Sequence, residues 1–240
     1  MEKYFLAQHV HACKLEGVAV FLDLHANKYI SVPPHCMPQL DRSVHGFMTL
    51  GSSANQGEAD PADAQATIDT LLARGILTTS PVIGRPASKP SVELARAFAP
   101  GQSRRTRPAI HGSHAARFAA AFLYCRASLK FERLNAVVER IGRLHSRSRS
   151  LRKESARLDS YVTIVETFRR LRVYGYTAND ACLLDSLVLT LFLHQYELAP
   201  IFVIGVRSRP FEAHAWVQIG DCAIDDKLES LSRFTPILAV

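Results

Sequence analysis

Cys182-Leu183-Leu184-Asp185-Ser186-Leu187-Val188-Leu189, then Pro210-Phe211-Glu212-Ala213-His214-Ala215-Trp216-Val217, then Gly220-Asp221-Cys222-Ala223-Ile224-Asp225-Asp226, is the stretch that decides the fold. The apolar run from Leu183 to Leu198 is long enough for a helix, and it is apolar all round, as a helix buried against a sheet must be. After Pro200 comes the apolar run Ile201-Phe202-Val203-Ile204-Gly205-Val206. Ala213 to Ile219 reads as a strand, Gly220-Asp221 as a hairpin turn and Cys222 to Asp226 as the return. A helix on antiparallel strands gives an α+β domain. The same stretch carries a cysteine at a helix start, a histidine in a strand and an acid pair past a turn. Those are the groups a thiol nucleophile needs.

Thr177 and Asp180 frame a capping box ahead of Cys182. The free N–H groups and positive dipole end of that first turn favour thiolate over thiol and suit a developing oxyanion. His214 would take the thiol proton and later protonate the leaving amine, and a carboxylate would fix its tautomer. A one-residue change of hairpin register exchanges Asp225 for Asp226 in that role. Singly, each residue has a plainer reading: a buried cysteine is usually inert core, a strand histidine structural and an acid pair a solvated turn. Cys222, on the hairpin rather than at a helix start, is the rival thiol.

The chain has 240 residues, 48% of them hydrophobic, and a mean hydropathy of +0.01, enough for one or two packed cores. Net charge is +7 with pI about 9.3. The excess is local, so it argues only weakly for an acidic partner. Cysteines 13, 36, 125, 182 and 222 form no CxxC pair, which points away from zinc clusters and disulfide frameworks and towards a reducing cytoplasm. No eighteen-residue apolar run or signal-like start occurs, so neither membrane nor export is expected.

Ala7 to Lys14, Val18 to Asp23 and Lys28 to Val32 read as a three-stranded meander with Glu16-Gly17 as one turn, closed by Pro33-Pro34. A helix of unclear pattern falls within 35–50. A clearer one opens at Pro61-Ala62-Asp63, carries Ile68, Leu71 and Leu72, and ends at Gly75. That helix has Arg74 as its only base, against Asp63 and Asp69, so it does not read DNA. Residues 81–108, with five prolines, read as a linker holding at most a short helix over Ser91–Phe98.

Helices then follow: one after His111-Gly112-Ser113 with Ala116, Ala119, Ala120, Leu123 and Ala127 as its apolar side, bending near 127–131, one through Val137, Val138, Ile141 and Leu144, and one over Leu158–Leu171. Arg140, Arg143, Arg147, Arg149, Arg152 and Lys153 read either as a site for a nucleotide or peptide acid or as a solvated helix end. They have no interleaved aromatics, so they form no single-strand nucleic-acid platform.

Two resemblances follow from these phrases. Val20-Phe21-Leu22-Asp23-Leu24, Lys28-Tyr29-Ile30-Ser31-Val32 and Leu71-Leu72-Ala73-Arg74-Gly75-Ile76-Leu77 resemble the RiPP recognition element, a small winged-helix domain related to the pyrroloquinoline-quinone chaperone. Such domains bind a leader peptide as an added strand. The resemblance implies that Tyr29, Ile30, Val32, Ile68, Leu71 and Leu72 line the groove, although the same positions also read as plain core.

The cysteine, I-G-V and P-F-x-A-H-A-W-V phrases resemble transglutaminase-like, papain-related hydrolases, and within them the lasso-peptide maturation protease, the B protein. The implied organisation is a leader-recognition domain at 1–80, a proline-rich linker at 81–108 and a cysteine protease domain at 109–240. Cys182 then matches the nucleophile, His214 the base and Asp226 the orienting acid. Asp225 stands where relatives often have Asn, and Asp185 where many carry a base. The resemblance also implies an asparagine-synthetase-like cyclase partner, the C protein, and ATP dependence, although the sequence holds no GxxxxGK[ST] loop. The activity it implies is leader removal through a thioester. Acyl transfer to an amine, or a leader-binding adaptor with an inactive triad, are the alternatives.

Overall fold

The computed structural model describes residues 3–50, 61–94, 96–98, 109–131, 134–150, 158–176, 182–224 and 226–240. The chain divides into two compact units, Met1–Ser91 with Val206–Glu212 and Thr235–Leu238, and Val92–Gly205 with Ala213–Phe234 and Ala239–Val240. The architecture is mixed α+β.

In the first unit, β1 (Phe5–Ala7) precedes a meander of β2 (Val10–Leu15), β3 (Val18–Asp23) and β4 (Lys28–Val32). The β2–β3 register pairs Leu15 with Val18, which leaves Glu16-Gly17 as a two-residue loop. Both loop residues have positive φ, 48° and 84°, as the I′ turn that matches strand twist requires. The strand expected from Ala7 to Lys14 is divided. Gln8 and His9 turn the chain, and β1 pairs instead with β5 (Leu77–Thr78) and β6 (Gly84–Arg85).

The helix expected within 35–50 is short, α1 (Met37–Ser43), flanked by two 3₁₀ turns. α2 (Pro61–Ala73) ends as the sequence indicates. Gly75 has φ +68°, its N–H bonds the Leu72 carbonyl, and the Ile76 N–H bonds that of Leu71. That is the Schellman pattern, with Ile76 and Leu71 both buried as its apolar contact. Phe21, Phe47, Met37, Leu40 and Ile68 belong to the core beneath.

The proline-rich stretch contributes ordered strand to both units. β6 lies at Gly84, where a Cβ would stand 2.5 Å from that of Phe5, so only glycine allows β1 and β6 to approach. The short helix anticipated over Ser91–Phe98 is instead β7 (Arg96–Phe98). Parallel pairing of Arg96, Ala97 and Phe98 with Cys222, Ala223 and Ile224 decides the matter, because ladder hydrogen bonds override a weak local preference.

The second unit holds α3 (Gly112–Lys130), α4 (Leu134–Ser150), α5 (Leu158–Arg172) and α6 (Cys182–His194). Along the chain they are followed by β8 (Ile201–Arg207), β9 (Glu212–Ile219), β10 (Cys222–Ile224), the short α7 (Leu228–Leu231) and β11 (Thr235–Ala239), of which Val206, Arg207, Glu212 and Thr235–Leu238 belong to the first unit. The sheet order is β11-β8-β9-β10-β7.

On α3 the alanine side expected to be inward faces out, and Phe118, Ala121 and Cys125 are buried instead. Phe118, packed against Phe168, buries more apolar area than any alanine and sets the rotation, which leaves Leu123 on the expected side 62% exposed. α6 is the axis of the unit. It packs against α3, α4 and α5, and every residue from Ser186 to Leu193 is buried. Phe168 meets Phe118 and Phe192 at ring separations of 5.7 and 5.6 Å.

Candidate active site

Cys182 opens α6 and is exposed, whereas Cys13, Cys36 and Cys125 are buried and Cys222 is intermediate. Burial pushes the Cys13 and Cys125 thiols up to about 12, so neither is a nucleophile at neutral pH. Cys182 moves the other way. Its thiol is held below the ordinary value, first by a hydrogen bond with His214 and further by backbone bonds at Ala215 and Leu183, against some cost of burial.

His214 lies near the start of β9. Its Nε2 is 3.2 Å from Asp226 Oδ1, which leaves Nδ1 as the ring nitrogen for the thiol. Asp226 and Cys182 together raise the imidazole to about 9. The two shifts agree. Each partner stabilises the charge of the other, which shifts the pair towards thiolate and imidazolium. Asp225 and the capping box Thr177–Asp180 lie outside the described residues, as does the part of the basic run beyond Ser150.

Packing holds the imidazole from its other faces. The Trp216 ring lies 6.3 Å away, nearly parallel, and the Phe234 ring 5.5 Å away. Trp216 is itself fixed, its indole N–H donating to Gln218 Oε1 at 3.1 Å. The Gln218 carboxamide in turn donates to the carbonyls of Glu93 and Gly220. Gln218 is fully buried, and these bonds satisfy its whole amide. Gly205 passes beneath, and a Cβ there would come within 2.7 Å of the Trp216 ring and 2.9 Å of Phe234 Cβ.

At the other side of the nucleophile, Asp185 accepts from Arg172 at 2.8 Å and from the Tyr176 hydroxyl at 2.7 Å. Its carboxylate therefore joins the first turn of α6 to the end of α5. The sequence offered little to find this network. The signals present were polar residues inside apolar runs, Ser186 and Gln218, and a glycine inside the apolar strand Ile201–Val206.

Residues 121–239 match the family model described as the Transglutaminase-like superfamily. The stretch is a transglutaminase-like domain. No curated protein and no solved structure matches the chain. The transglutaminase-like match covers α6, β8, β9 and β10, and with them Cys182, His214 and Asp226. It is consistent with cysteine-protease or acyltransferase chemistry.

The six residues named for leader binding divide by burial. Val32, Ile68 and Leu71 are buried in the first unit's core, while Tyr29, Ile30 and Leu72 are half-buried. β4, which carries three of the six, stands at one end of its sheet. Within the basic run, Arg140 lies over the Tyr124 ring at 4.5 Å and Arg143 pairs with Glu139 at 3.6 Å. Arg140 and Tyr124 also line a cavity of about 410 Å³ with Leu144, Leu191, His194 and Gln195. No helix among the described residues is long and apolar enough to cross a membrane.

Proposed function

We propose that the chain is a cytoplasmic leader peptidase of lasso-peptide biosynthesis. The first unit binds the leader of a ribosomal precursor, and the transglutaminase-like domain cleaves it at the leader–core junction. The observation that carries the reading is the triad arrangement, with Cys182 at the start of α6 and His214 Nε2 3.2 Å from Asp226 Oδ1, inside a transglutaminase-like domain. The leader-binding half rests on the resemblance of the first unit to the RiPP recognition element. Its meander offers β4 as the strand to be extended, with Tyr29, Ile30 and Leu72 as the accessible side chains and Val32, Ile68 and Leu71 as the floor.

The chemistry follows from the pair. The Cys182 thiolate attacks the scissile carbonyl carbon, and the carbonyl electrons move to oxygen. As the tetrahedral intermediate collapses, the C–N bond breaks and the leaving amine takes its proton from His214. Water then attacks the thioester while His214 takes its proton, which frees the leader acid and restores the thiolate. The freed core amine becomes the substrate of a ring-closing partner, the asparagine-synthetase-like cyclase. ATP dependence is part of the same proposal and comes from the resemblance.

Purified precursor and cyclase test the reading with Cys182→Ala. The variant is expected to lose cleavage by at least about a thousandfold. Persisting cleavage removes Cys182 as the nucleophile. The transglutaminase-like match also favours a second reading, transfer of the acyl group to an amine instead of water. Product mass separates them, since hydrolysis leaves a carboxyl and transfer adds the amine.

A further inference from the structure

The serine four residues after the nucleophile has no part in the chemistry above. Ser186 lies one helical turn below Cys182, on the same side of α6. It is buried, 7% exposed, in a helix otherwise apolar from Leu187 to Leu193 apart from Thr190. Its hydroxyl does not turn back to its own helix. It crosses to the sheet and donates to the Ala215 carbonyl at 2.9 Å.

Ala215 follows His214 on β9. The last β10 residue in the ladder, Ile224, stands opposite Val217, two residues short of Ala215. The backbone of Ala215 meets α6 instead. Its carbonyl takes the Ser186 hydroxyl, and its backbone is also among the groups that hold the Cys182 thiol low. The helix that carries the nucleophile is therefore tied to the residue next to the base.

We propose that Ser186 is a positioning residue, whose hydrogen bond to the Ala215 carbonyl fixes α6 against β9 and so sets the distance between the Cys182 sulfur and the His214 ring. This rests on the peptidase reading only for its rate consequence. The geometric claim concerns the thiol alone. The charged groups around the pair, among the described residues, are these. His214 faces Cys182, Asp226 faces His214, and Asp185 on α6 is turned to Arg172 and Tyr176.

The test compares Ser186→Ala with Thr190→Ala. Thr190 is also fully buried on α6, but its hydroxyl bonds the Ser186 carbonyl within the helix. Cys182 alkylation by iodoacetamide is followed across pH by mass spectrometry of the Cys182 peptide, beside kcat and KM for the precursor. Ser186→Ala is expected to move the alkylation midpoint to higher pH and to lower kcat about tenfold with KM little changed, the size expected for one hydrogen bond. Thr190→Ala is expected to lose stability without moving the midpoint. A Ser186→Ala profile that superimposes on the wild-type profile overturns the proposal. If Ser186→Ala does not fold, Ser186→Cys, a slightly larger side chain with a weaker donor, must shift the Cys182 midpoint in the same direction, the alkylated sulfur being located by fragmentation. Failure of the wild-type protein to cleave the precursor, with its Cys182 thiol still reacting at low pH, removes the peptidase reading and leaves the positioning role standing.

Discussion

At the scale of the residue, the pair Cys182–His214 fixes the pH range of any chemistry here. The thiolate forms below the ordinary thiol range, and the imidazolium persists to about 9. The kcat/KM profile is expected to be a bell whose alkaline limb falls near 9, because above it His214 can no longer protonate a leaving amine. Folding raises this pKa from 6.5, so the stabilisation is complete below 6.5 and is lost as pH rises through about 9. Denaturant midpoints on either side of that window measure it. Asp226→Asn removes the largest cause of the shift. It is expected to move the alkaline limb to lower pH and to cut kcat by up to about 10⁴-fold, the loss seen when a triad acid is neutralised. A rate limb still near 9 in that variant would show that another group orients His214.

At the scale of the element, the site depends on how closely backbone and ring approach. Gly205→Ala places a methyl 2.7 Å from the Trp216 ring, and Trp216 and Phe234 both flank His214. It is expected to cost about 1–3 kcal/mol and to lower activity more than thermal stability alone explains. Paired urea titrations and rate measurements test this. Asp185→Ala leaves Arg172 and Tyr176 without this carboxylate and is expected to destabilise by roughly 3 kcal/mol. A variant as stable as the wild type would mean that the α5–α6 join does not need it.

These elements also show what a single sequence reveals. The meander, α2 with its glycine stop, α6 and the β9–β10 hairpin have strong local signals, namely alternation, turn residues and a continuous apolar run. The nucleophile, base and acid stand out because their chemistry demands particular residue types. The strand at 96–98 carries no such signal, since its partner is more than a hundred residues away and only the ladder makes it a strand. Ser186 and Gln218 stand out only as polar residues inside apolar runs. Their roles lie in hydrogen bonds to the backbone of Ala215, Glu93 and Gly220, which no spacing rule predicts.

At the scale of the whole molecule, the proposal assigns recognition and cleavage to different units. In the intact Cys182→Ala protein, Tyr29→Ala with Ile30→Lys is expected to weaken leader binding at least tenfold, read by fluorescence anisotropy, with unchanged far-ultraviolet dichroism. Unchanged affinity would remove β4 from the recognition role. Tethering the leader also raises the local concentration of the scissile bond, so Cys182 needs only modest affinity of its own for the junction.

β7 has a practical consequence for dissecting the chain. Its backbone covers the outer flank of β10, the strand leading to Asp226. A truncated protein starting at Ala109 lacks that cover and exposes a row of unpaired amides and carbonyls, a template for a second copy. Light scattering should find it self-associating, whereas one starting at Val92 keeps its own outer strand and should remain monomeric.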